Sequence, residues 1–111
     1  MAIGRTLMGK TFEYSGSLAT ELVVKFRNTQ LKISPKIVAA IRREIERRSP
    51  VKMGANRKPL VANSVGETLY EQHRVSPQVM SYVLPLLIEE GFCSVTSKRP
   101  FVIYRDRTNV T

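Results

Sequence analysis

His73, Cys93 and the neighbouring pair Glu89 and Glu90 are the side chains of this 111-residue sequence with the clearest catalytic potential, and their spacing makes little use of it. One histidine and one cysteine are too few for a His- or Cys-based metal site, and a lone cysteine forms no intrachain disulfide. Adjacent glutamates at the end of a helix diverge on its surface, which suits solvation better than paired acid–base work. No Gly-rich loop leads into a Lys, and no nucleophile stands beside a base. The expectation is a protein without catalysis, metal, cofactor or small-molecule substrate.

The chemistry that the residues do supply is positive charge. There are 18 Lys and Arg against 9 Asp and Glu, a net charge of +9 and a pI near 10.2, while apolar residues make up an ordinary 42%. That balance fits a folded domain that binds a polyanion. The charge is unevenly spread. Residues 34–63 carry a net +6, whereas residues 64–97 hold only Arg74 against Glu67, Glu71, Glu89 and Glu90. Residues 1–33 and 98–111 each carry +3.

The elements that must position these charges can be read from their boundaries. Ser34-Pro35 starts a helix to about Arg48, because Ser caps free amides and Pro at the first position loses no needed hydrogen bond. Ile37, Ile41 and Ile45 give it a buried stripe beside Val38 and Ala40. Residues 49–62 hold prolines, a glycine and three cations, and read as a basic loop. The pattern Ser64-x-x-Glu67 is a capping box opening a second helix with Val65 and Leu69 inward. Ser76-Pro77 repeats the start signal for a third helix, which contains Pro85 and closes at Gly91. Phe92-Cys93-Ser94-Val95 and Phe101-Val102-Ile103-Tyr104 then flank a basic turn.

Helix, helix-turn-helix and basic hairpin together describe an α+β winged helix-turn-helix domain, three helices plus a C-terminal β-hairpin wing, over residues 34–111. Residues 1–33 form an N-terminal extension, partly ordered, in which Leu18, Leu22 and Phe26 suit a short helix and Val23-Val24 a strand equally well. The third helix has no Lys or Arg from Ser76 to Glu90. A major-groove reader needs donors there, and Gln78 is the one strong candidate. Charge on the first helix, its loop and the wing suits phosphate contacts instead, and backbone recognition of folded RNA.

The wing carries a family resemblance. Gly91-Phe92, Ser97-Lys98-Arg99, Val102-Ile103-Tyr104-Arg105 and Arg107-Thr108 are similar to the corresponding wing of the small winged-helix proteins of the archaeal and eukaryotic ribosomal small subunit, the eS25 family. Upstream, residues 60–69 resemble that family's apolar lead-in and Ser-Val-x-Glu-x-Leu helix. Residues 1–33 are mixed and partly apolar where the family has a Lys-rich tail, and Ser81 and Tyr82 stand where it has basic residues. The resemblance implies a structural component of the small-subunit head, bound to ribosomal RNA and neighbouring small-subunit ribosomal proteins.

The residues expected to bind nucleic acid are therefore Arg42, Arg43, Arg47, Arg48, Lys52, Arg57, Lys58, Lys98, Arg99, Arg105 and Arg107. Two other readings are open: a DNA-binding winged-helix regulator using Gln78, and a protein-interaction domain docking through the uncharged face of Met80, Tyr82 and Leu86. The longest strongly apolar stretch, residues 82–88, falls well short of the ~20 residues of a membrane span. With a single cysteine and no signal-peptide core, the expected setting is cytoplasmic, away from membranes.

Overall fold

The computed structural model describes residues 1–56 and 58–105. Its first helix begins as Ser34-Pro35 requires: the Ser34 hydroxyl accepts the amide of Ile37 at 3.3 Å, and α1 runs Pro35–Arg48. Val38, Ala40, Ile41 and Ile45 are its buried stripe. The second helix, α2 (Val65–His73), is capped by the fully buried Ser64, whose hydroxyl accepts the Glu67 amide at 3.0 Å and donates to the Val61 carbonyl at 2.7 Å. Glu67 reaches back to accept the amide of Asn63, the residue before the cap, at 3.0 Å. The Ser76-Pro77 start makes one 3-10 turn, Pro77–Val79, before α3 (Met80–Glu89). Pro85 sits within α3 and does not end it.

Residues 1–33, expected as a partly ordered extension, form a four-stranded antiparallel meander: β1 (Ala2–Arg5), β2 (Thr11–Ser15), β3 (Leu22–Lys25) and β4 (Gln30–Ile33). The helix–strand ambiguity around Leu22 resolves to strand. Leu22 faces Ile33 and Val24 faces Leu31 across the β3–β4 ladder, so alternation decides the face that is buried. Phe12, Leu22, Val24 and Ile33 point into the same hydrophobic cluster as α1, α2 and α3. The sheet is thus part of the core.

A second, three-stranded antiparallel sheet has the order β5 (Val51–Lys52), β7 (Val102–Arg105), β6 (Cys93–Val95). β5 lies in the segment read as loop. It is only two residues long, and Met53 extends it by donating to the Phe101 carbonyl at 3.0 Å. The described residues therefore make an α+β structure with three α-helices and two antiparallel sheets. No described helix is long and apolar enough to cross a membrane.

Contact between β1 and α3 joins the two halves. Helix α3 is apolar nearly all round, with Met80, Val83, Leu84 and Leu87 fully buried and Leu86 only 7% exposed. Tyr82 meets Phe12 edge-on with ring centroids 5.1 Å apart, and Phe26 at 5.7 Å. Met80 and Leu86 of the uncharged face read as a docking surface are accordingly buried, and the half-buried Tyr82 has the chain's own N-terminal sheet against it.

Candidate nucleic-acid interface

Three segments distant in sequence converge on one cleft of about 450 Å³. The first is the β1–β2 turn. Thr6 donates its amide to the Lys10 carbonyl at 2.7 Å and accepts the Lys10 amide on its hydroxyl at 3.1 Å, and Gly9 takes φ +90°, a conformation that favours glycine. This bracket holds Lys10 at the cleft. The second segment is the strand and loop of residues 51–56. Its course is fixed at Met53, whose amide donates to the Phe101 carbonyl and whose carbonyl accepts the Gly66 amide, each at 3.0 Å. The approach of this loop to α2 is so close that a Cβ on Gly66 would collide with the Gly54 carbonyl.

The third segment is the β6–β7 turn. The Thr96 hydroxyl donates to the Lys98 carbonyl at 3.2 Å and accepts the Val102 amide at 3.1 Å, while the Thr96 amide reaches the Val102 carbonyl at 3.1 Å. One side chain thus closes the basic turn and sets Arg99 toward the other two segments.

The cations at the cleft are Lys10, Lys52 and Arg99, all exposed and in no ion pair among the described residues. No Asp or Glu is among the residues lining it. Leu7, Met8, Met53, Tyr82 and Phe101 supply an apolar floor, and the exposed amides Asn56 and Gln78 stand at its edge. Lys58 lies beside it, lining a smaller hollow with Asn56 and Gln78. An uncompensated set of three cations over an apolar floor favours an anionic ligand with flat, uncharged parts.

The remaining expected cations are differently placed. Arg42 is bound to Glu90 at 2.9 Å, and Arg48 to Glu44 at 2.9 Å and Thr68 at 3.1 Å. Arg105 donates to the Phe92 carbonyl at 2.5 Å and lies 3.5 Å from Glu46. The Arg105 and Arg42 guanidiniums stand 4.0 and 4.9 Å from the Phe92 ring centroid, so this aromatic is gripped between α1 and β7. These three arginines hold elements of the protein together. Arg43 and Arg47 are exposed on α1 without ion pairs among the described residues, but do not line the cleft. Lys98 is exposed on the β6–β7 turn. Arg57 and Arg107 lie outside the described residues.

Of the eleven cations expected from the sequence, the fold brings Lys52 and Arg99 to the cleft and Lys58 beside it, and it adds Lys10, Met8 and Tyr82, which the sequence does not single out as their neighbours. Thr6-x-x-Gly9-Lys10 is a turn signal that could have marked Lys10 as the tip of a hairpin. Where that hairpin would pack had no local signal. Among the described residues no three of His, Cys, Asp and Glu gather where they could hold a metal ion. Comparison with protein-family models, characterised proteins and solved structures finds no match to this chain.

Proposed function

We propose that this protein binds the backbone of folded RNA as a non-catalytic component of a ribonucleoprotein. The observation that carries the reading is the convergence of Lys10, Lys52 and Arg99 on a cleft without carboxylates. Burial of α3 supports it from the other side. A helix whose Met80, Val83, Leu84 and Leu87 are fully buried, with a sheet against Tyr82, has little free face to lay in a major groove. Phosphate contacts need only accessible positive charge, and the cleft and β6–β7 turn supply it.

Two finer statements belong to the same proposal. Helix α1, strand β5, helices α2 and α3, and the β6–β7 hairpin form a winged helix, with β5 and β6 flanking β7 in its small sheet. The wing resemblance implies the small ribosomal subunit as the host, with neighbouring small-subunit ribosomal proteins as further partners and the cytoplasm as the setting. The DNA-regulator reading keeps one observation in its favour: Gln78 is exposed at the start of the third helical segment, beside the cations.

The test is sedimentation of a cell extract at moderate salt, followed by binding of the purified protein to a structured RNA and to DNA duplexes of varied sequence. Travel with small ribosomal subunits, together with RNA binding that weakens steeply with salt, is the expected result. A ribosome-free, DNA-associated fraction whose binding follows one base sequence and is lost on Gln78→Ala would replace this reading with the DNA regulator.

A further inference from the structure

We propose that the cleft takes one unpaired nucleotide of the bound RNA, its base on the apolar floor and its flanking phosphates on Lys10, Lys52 and Arg99. This rests on the RNA-binding reading above and names the feature of the RNA that the site selects.

A surface that only tracked a phosphate backbone would need charge and no apolar floor. Here the cations share the cleft with Leu7, Met53, Tyr82 and Phe101, and Met8 stands 59% exposed at the tip of the β1–β2 hairpin. The volume of about 450 Å³ falls in the range of small-ligand sites, roughly 300–1,000 Å³. It is large enough for a nucleotide. Bases of a double helix are stacked inside it, so only a loop, bulge or end can offer a base to such a floor. Asn56 and Gln78 add exposed amides at the edge, each carrying both a donor and an acceptor for a base edge. The floor is built in advance: Tyr82 is held by Phe12 and Phe26, Met53 by its bond to Phe101, and the hairpin tip by the Thr6–Lys10 bracket. Little ordering therefore remains when the base enters.

Two fluorescently labelled RNAs of equal phosphate number test this by anisotropy: a stem closed by a single-stranded loop, and a blunt duplex in which the same stem is lengthened by base pairs until the phosphates match. The loop RNA is expected to bind about tenfold more tightly, the scale of one base stacked on an apolar platform. Ala55→Trp, which fills the cleft, should abolish the preference, so that this variant binds loop and duplex RNA equally. Met8→Ser, at an exposed position that the fold does not depend on, should lower the preference in the same direction if Ala55→Trp does not fold. Equal binding of loop and duplex by the unaltered protein overturns the nucleotide site and leaves the RNA reading standing. A loop preference that survives substitution in the folded variants overturns it as well. Failure to bind either RNA overturns both.

Discussion

Neutralising the cleft should change how RNA binding responds to salt. Lys10, Lys52 and Arg99 are exposed and make no ion pair among the described residues, so Lys10→Ala, Lys52→Ala and Arg99→Ala combined should leave the melting temperature close to that of the wild type. Each cation that neutralises a phosphate contributes about 0.7–0.9 to the slope of log affinity against log salt. Three of them contribute about 2 to 2.7. Between 50 and 200 mM salt the wild type should then lose about twentyfold more affinity than the triple variant, and at 0.1 M the variant should bind about a hundredfold more weakly. Fluorescence anisotropy of one structured RNA across a salt series measures both quantities. Arg42→Ala is the control: its guanidinium is already engaged by Glu90 at 2.9 Å, so the slope should barely move. An unchanged slope in a folded triple variant, or a larger change in the Arg42 control, would refute the assignment of the anion-binding surface to the cleft.

Phe12→Ala removes a buried ring that packs on Tyr82 and should destabilise the protein by about 3–5 kcal/mol in chemical denaturation, with loss of the sheet's contact with α3. Gly66→Ala sets a methyl group against the Gly54 carbonyl and should cost about 2 kcal/mol or more, seen as a lowered melting temperature, because backbone must move to accommodate it. Phe92→Ala leaves the Arg42 and Arg105 guanidiniums without the ring between them and should cost about 2–4 kcal/mol with little effect on the salt slope of RNA binding. Thr96→Val removes two hydrogen bonds at the basic turn; RNA affinity should fall severalfold while stability falls by only about 1 kcal/mol.

The helices were legible because their starts are written in short-range chemistry. Ser34-Pro35 and Ser64-x-x-Glu67 each announce a cap within four residues, and both caps form as read. The third start was half legible. Ser76 does cap the next turn, but that turn is 3-10 and the α-helix begins at Met80. The sheet of residues 1–33 was obscure for a physical reason. Its strands are four or five residues long, and their stability comes from ladders such as Gly4 against Phe12 and Leu22 against Ile33, pairings that no window of local sequence displays. Leu18, Leu22 and Phe26 meanwhile imitate a helical stripe. The β5 strand hid between Pro50 and Gly54 because two residues give no period to read.

Charge alone left the ion pairing hidden for a related reason. Arg42, Arg48 and Arg105 counted equally with Lys52 and Arg99 in the sequence, yet the fold brings Glu90, Glu44 and Glu46 against the first three. Two of those three pairs join residues more than forty positions apart, so the surplus of free cations could not be located from composition. Lys10 is the converse case. An apparently peripheral lysine joins Lys52 and Arg99 because its hairpin reaches the β5 loop and the β6–β7 turn.

Ultraviolet crosslinking of the bound RNA, followed by mass-spectrometric mapping of the crosslinked peptides, tests the cleft as the RNA-binding surface most directly. Crosslinks should fall in the β1–β2 turn around Met8 and Lys10, in residues 52–56, and on the β6–β7 turn at Arg99 to Phe101. Crosslinks confined to the outer face of α1 around Arg43 and Arg47, with none in those three segments, would contradict it.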